Sequence, residues 1–134
     1  MQCELDLDDF VTFTGRIPDE ELYTYLSTAD IGLSPDPKNP LKDVSTMNKT
    51  MEYMAFGLPV VAFDLRETKV SAAEAAVYAT PNDVEDSADK LSDLLDDPER
   101  RTQMGAAGRK RVEKVLAWEH QVPALLAAYS SALS

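Results

Sequence analysis

Ser45-Thr46-Met47-Asn48-Lys49-Thr50-Met51-Glu52-Tyr53-Met54-Ala55-Phe56-Gly57-Leu58-Pro59-Val60-Val61-Ala62-Phe63 reads as an amphipathic helix, a glycine stop and a short apolar strand. Ser45, Asn48, Lys49 and Glu52 recur at i, i+3, i+4 and i+7 and therefore share one polar stripe. Met47, Met51 and Met54 also recur at helical spacing, on a stripe about 145° from the polar one. Such a helix packs through its methionines and shows amide, ammonium and carboxylate groups to a cleft. Ser45 is the expected N-cap, and Gly57 closes the carboxyl end. Val60-Val61-Ala62-Phe63 shows no polar alternation, the pattern of a strand covered on both faces.

Working outward, Phe10-Val11-Thr12-Phe13-Thr14 is β-branched and aromatic, ends at Gly15, and is expected to be a strand. Asp19 precedes a short helix, Glu20 to Leu26, with acids at its positive end. Ile31-Gly32-Leu33-Ser34 is a second strand, stopped by Pro35, Pro37 and Pro40, which lack ladder donors. A helical turn around Ser71 to Ala75 leads into a further strand, Ala76 to Ala79. Asn82 or Asp83 caps the next helix, with Val84, Ala88, Leu91 and Leu95 as its expected apolar stripe. Asp97-Pro98 starts another helix, from which Met104, Val112 and Val115 are expected to face the core. Trp118 marks a break. Beyond it Val122, Leu125, Leu126, Tyr129 and Leu133 form an amphipathic pattern. Strands alternating with helices imply an α/β fold with a parallel sheet, here of about four strands, and right-handed crossovers.

At 134 residues and 44% hydrophobic content the chain has the size and composition of one globular domain, residues 1–134. A net charge of −11 argues against a broad nucleic-acid surface. Cys3 is the single cysteine, so no intramolecular disulfide forms. No run approaches the roughly 18 apolar residues of a membrane span, and no signal peptide opens the chain. A cytoplasmic location is the expectation. Arg100, Arg101, Arg109, Lys110, Arg111 and Lys114 crowd one late helix and read as a solvated face. Peripheral contact with anionic lipid is the alternative use of such a face, though one signal alone does not anchor a protein. Asp6, Asp8 and Asp9 read as an acidic loop rather than a metal site, having no converging loop glycine or bidentate glutamate.

Val11-Thr12-Phe13-Thr14-Gly15-Arg16-Ile17-Pro18, the stretch from Leu22 to Asp30, and Glu52-Tyr53-Met54-Ala55-Phe56-Gly57-Leu58-Pro59-Val60-Val61 together resemble the C-terminal half of family 4 glycosyltransferases. Those enzymes have the GT-B architecture, two Rossmann-like domains facing across a cleft. The C-terminal domain binds the nucleotide-sugar donor and the N-terminal domain binds the acceptor. The resemblance covers nearly the whole chain, and its most specific part is the segment from Glu52 to Val61. It implies a Rossmann-like sheet with flanking helices, forming part of a C-terminal GT-B domain.

By that resemblance Glu52 accepts hydrogen bonds from the donor's ribose hydroxyls, chemistry that suits a carboxylate. The alternative is a surface glutamate paired with Lys49 at i−3. Ser45, Thr46 and the amides around them would seat a diphosphate at a helix N-terminus, within reach of Lys49 or Asn48. Gly15 and Arg16 match a loop that contacts the base, mostly through backbone. Many retaining members carry an acid eight positions before the ribose glutamate. That position is Val44 here, with Asp43 one place earlier as the candidate catalytic residue. The family's glycine-rich phosphate loop has no counterpart, since glycines stand only at 15, 32, 57, 105 and 108.

The resemblance therefore implies the later two-thirds or so of a donor-binding domain, with the acceptor domain as its missing partner. The parent would transfer a sugar from a nucleoside diphosphate sugar with retention, using no metal and no cofactor. This portion alone is expected to be inactive, and its exposed strand edge invites dimerisation. Two other readings stay open. One is a non-catalytic binding or scaffold module. The other is a nucleotide-sugar epimerase, which needs an acid–base group, and His120 beside Trp118 reads as a helix-start residue instead.

Overall fold

The computed structural model describes residues 6–133, so Cys3 lies outside the described residues. Helix α1 (Asp19–Thr28) precedes strand β1 (Gly32–Ser34), and a short 3-10 turn (Lys42–Val44) precedes α2 (Asn48–Ala55). Strand β2 (Val60–Phe63), helix α3 (Arg66–Ala72), strand β3 (Ala76–Ala79), α4 (Val84–Leu95), α5 (Pro98–Arg111) and α6 (Val122–Leu133) follow. The strands pair in the order β1-β2-β3, all parallel, with Gly32 opposite Val60 and Val60 opposite Ala76.

All four residues of β2 are buried, as its unbroken apolar run requires. Val60 and Ala62 pack with Met54, Ala72, Ala75 and Ala76 on one face. Val61 joins Val77, Leu94 and Met104 on the other. Met54, completely buried, is where the methionine stripe of α2 meets the sheet. Gly57 ends that helix at φ 74°, a left-handed conformation that glycine adopts without penalty.

Three expectations are corrected. Phe10–Thr14 is not a strand. Phe10 and Val11 donate back to the Leu7 carbonyl in a turn, and Phe10 and Phe13 are 84% and 78% exposed. The sheet among the described residues therefore has three strands rather than about four. Strand propensity yields a strand only where a neighbour completes the ladder. On α4 the packed residues are Leu91 and the fully buried Leu94, while Val84, Ala88 and Leu95 are exposed. The face turned inward is the one that reaches Val61 and Val77, and the chosen stripe ran beside it. On α5 Met104 is buried and Val112 packs on the core, but Val115 is exposed because the helix loosens into a π-turn over Val112–Leu116. Trp118 does start a break, a 3-10 turn to His120, and α6 follows with no buried residue.

The late basic cluster is not simply a solvated face. Arg101 donates to the Leu94 and Leu95 carbonyls, Arg109 to Ala55 at 2.6 Å, and Arg111 to Val70 at 2.7 Å and Ser71 at 2.8 Å. Those acceptors lie in the last turns of α4, α2 and α3, where helix carbonyls lack intrahelical partners. One helix thus ties down the negative ends of three others.

Candidate functional site

The carboxyl ends of parallel strands lie on one edge of a sheet, and here that edge carries a polar cluster. Ser34 ends β1 and is followed by a loop that the prolines keep out of the ladder. Asn39 folds this loop by accepting from the amides of Leu41 (3.1 Å) and Lys42 (2.9 Å). Asn82, between β3 and α4, accepts from the Lys38 amide at 2.7 Å and pins the loop from outside.

Asp36 sits inside this loop with 8% of its surface exposed. Thr50 Oγ1 of α2 donates to Ser34 Oγ at 3.3 Å, and Ser34 Oγ donates to Asp36 Oδ2 at 3.0 Å. The same Oδ2 meets Lys49 Nζ at 2.6 Å, and Oδ1 meets Lys42 Nζ at 3.5 Å. Burial pushes the Asp36 carboxyl up, but the hydrogen bonds from Lys49 and Ser34 and the two ammonium charges outweigh it and hold the group below its usual value. No reading of the sequence singled out Asp36. The prolines around it signal only the end of a strand, and its partners Ser34 and Thr50 meet only once α2 packs on β1.

Ser45 is not the N-cap of α2. The helix starts at Asn48 after Met47, without a side-chain cap, and Ser45 Oγ donates to the Leu41 carbonyl at 2.6 Å across the preceding turn. The proline loop needs that turn to come back toward α2, so the serine closes it instead. Thr46 Oγ1 donates to Glu67 Oε1 at 3.0 Å, and Asp43 Oδ1 accepts the Arg66 amide at 2.9 Å at the start of α3. The Arg66 amide is the main cause that draws the Asp43 carboxyl below its ordinary pKa, with the Lys38 ammonium at 3.6 Å assisting. Asp43 thus serves α3 as a cap.

Lys49 turns to Asp36 and not to Glu52, so the alternative i−3 pair is absent. Glu52 is exposed on α2, one turn along from Asn48, and its carboxylate has no hydrogen bond or ion pair among the described residues. Lys49, Glu52 and Asn48 share the solvent side of the helix, while Thr50 and Met54 are its buried residues. Behind them Tyr53 lies against Gly32, where a Cβ would come within 2.4 Å of the ring, and its hydroxyl donates to the Leu33 carbonyl at 3.2 Å. Gly15 has φ 65° and Arg16 is exposed, and no hydrogen bond joins either to the cluster. His120 Nε2 lies 2.9 Å from the Glu113 carbonyl, a local contact beside α5. Among the described residues no group of three or more His, Cys, Asp or Glu is arranged to hold a metal ion.

A parallel sheet covered on both faces, with its polar cluster at the carboxyl edge, defines the open α/β class whose ligands bind at that edge. Within that class the chain belongs to the glycosyl transferases group 1 family, which it matches over residues 1–97. It is 31% identical to the MMP alpha-(1->4)-mannosyltransferase of Mycolicibacterium hassiacum over 98% of this chain and 32% of that protein. It is 39% identical to a GDP-mannose-dependent monoacylated alpha-(1-6)-phosphatidylinositol monomannoside mannosyltransferase of Corynebacterium glutamicum over 85% of this chain and 31% of that protein. Sucrose-phosphate synthase from Thermosynechococcus elongatus superposes with a TM-score of 0.78 at 27% identity, over 99% of this chain and 33% of its own. The chain thus spans about a third of the length of these relatives. The expected GT-B type of domain agrees with this superposition, and no helix of the described residues is long and apolar enough to cross a membrane.

Proposed function

We propose that this chain provides the nucleotide-sugar donor site of a glycosyltransferase. The observation that carries the reading is the uncommitted Glu52 carboxylate on α2, beside Lys49 at the carboxyl edge of the sheet. In this reading Glu52 accepts from two vicinal ribose hydroxyls, and Lys49, with Asn48 and the backbone at Thr46, faces the diphosphate, whereas the Ser45 amide already donates to the Lys42 carbonyl at 3.3 Å. Gly15 and Arg16 approach the base through backbone. Transfer proceeds with retention and without a metal, the leaving diphosphate being stabilised by fixed dipoles and cations. The acceptor site and the remaining phosphate contacts come from elsewhere in a longer protein. These 134 residues alone transfer no sugar, and turnover by them would contradict that part of the reading.

Because one relative is named GDP-mannose-dependent, GDP is the first nucleotide to titrate, with UDP beside it. The full natural chain should bind one of them saturably. Glu52→Ala should weaken that binding about 10- to 100-fold, equivalent to about 1–3 kcal/mol for lost charged hydrogen bonds. Unchanged affinity would remove Glu52 from the site. A non-catalytic donor-binding module is the second reading, favoured by Asp43, whose carboxylate already caps α3. Saturable donor binding by the full chain with no sugar transfer to any acceptor or water would support it.

A further inference from the structure

We propose that Asp36 is a positioning residue for Lys49, holding its ammonium at the diphosphate end of the donor site through a buried Thr50–Ser34–Asp36 relay. The inference rests on the donor-site reading above and assigns a role to a residue that does not itself touch the donor. Three polar side chains are nearly or wholly buried here, Thr50 fully, Ser34 at 2% and Asp36 at 8% exposure. Burying hydroxyls and a carboxylate is costly unless each finds its partners. Here each does: Thr50 donates to Ser34 and Ser34 to Asp36, while Lys49 donates to the same Asp36 oxygen from the exposed side.

The geometry separates support from contact. Asp36 is covered, so an incoming anion cannot displace its shell. The Lys49 and Lys42 side chains are each 39% exposed and remain open to solvent. An ammonium carries three donors. Lys49 gives one to Asp36 Oδ2 at 2.6 Å and keeps two for a phosphate oxygen. Without an anchor, a four-carbon side chain loses rotamer entropy when a ligand fixes it. Asp36 has restricted that side chain before the ligand arrives, which is how preorganisation raises affinity. Two lysines share one carboxylate, so Asp36, Lys42 and Lys49 together sum to +1, offset at the ribose end by Glu52, in a chain whose overall charge is −11. A diphosphate approaching this otherwise acidic molecule meets a local cationic spot.

The test is a double-mutant cycle on the full natural chain, read as GDP and UDP affinity by calorimetry, with melting temperatures measured alongside. Asp36→Ala and Lys49→Ala should each weaken binding of the preferred nucleotide about tenfold. The double variant should bind no more weakly than Lys49→Ala alone, because Asp36 reaches the donor through that lysine, its contact with Lys42 being the longer at 3.5 Å against 2.6 Å. Asp36→Asn should restore affinity to within about threefold of wild type, since an amide oxygen still accepts from Lys49. Should Asp36→Ala melt below the assay temperature, Ser34→Ala takes its place in the cycle, with a loss of about threefold expected and abolished in the Lys49→Ala background. Additive losses, wild-type affinity in the Asp36 or Ser34 variant or in Lys49→Ala, or no rescue by Asp36→Asn each overturn this inference while leaving donor binding intact. Failure of wild type to bind either nucleotide overturns the donor reading and this inference together.

Discussion

Helix α2 carries two charged residues and helix α5 six, and the two helices use them in opposite ways. On α5 three arginines end on backbone carbonyls of other helices. Each guanidinium gives two of its five donors to such fixed bonds, Arg109 spending its second on Glu113. On α2 Lys49 is only partly engaged, and Glu52 has no partner among the described residues. Charge counts alone pointed the other way, since α5 is the more basic helix by sequence. What decides function is which charges the fold leaves unfinished. The two helices are also coupled. Gly105 of α5 lies so close to the turn after α2 that a Cβ would stand 2.0 Å from the Gly57 carbonyl oxygen. One helix therefore sets the position of the other, and with it the candidate site.

Four perturbations test this division, in order of decreasing effect. Gly105→Ala forces that contact open and should cost about 3 kcal/mol or more, at the upper end for overpacking. A thermal or urea melt reads it, and near-wild-type stability would mean that the two backbones are not locked. Arg111→Ala removes two bonds to the carboxyl end of α3 and should cost about 1–3 kcal/mol, with donor affinity at assay temperature little changed.

Acidification should act on the α2 side. The folded-state pKa of Asp36 lies below its unfolded value, so its contribution to stability is complete above about pH 4 and is lost as pH falls through the folded value. Asp36→Asn should flatten the acid limb of the stability profile relative to wild type, though Asp43 and Asp86 keep part of the slope because their pKa values are also lowered. An unaltered limb would remove the Asp36 cluster from that account. Lys110→Ala, on α5 but bonded to nothing among the described residues, should move stability by less than about 0.5 kcal/mol. A larger loss would show that basicity on α5 matters beyond the three arginine clamps.

Much of the fold was legible because its signals are local. The apolar run Val60–Phe63 formed a strand over those residues, and Gly57 closed α2 as its position implied. Asp83 caps α4, accepting from the Asp86 amide at 3.0 Å. The failures share a different cause. Phe10–Thr14 has the composition of a strand but adopts none among the described residues, because composition does not set pairing, which is a tertiary fact. Ser45 has the chemistry of a cap, but a turn four residues earlier competes for its hydroxyl. For the candidate site, the polar stripe placed Lys49 and Glu52 on one helix face but gave no sign of Asp36. No spacing rule connects residues 34, 36 and 50 until a parallel sheet brings them together.

The central claim is that Glu52 binds the donor's ribose, and the most direct measurement compares GDP with its 2′,3′-dideoxy analogue, or the UDP pair if UDP is preferred, on wild type and Glu52→Ala in the full natural chain. If Glu52 holds the ribose, the variant loses about 10- to 100-fold for the ribonucleotide, loses almost nothing for the dideoxy analogue, and melts at the wild-type temperature. An equal loss for both nucleotides would contradict it, because Glu52 would then act on something other than the ribose hydroxyls.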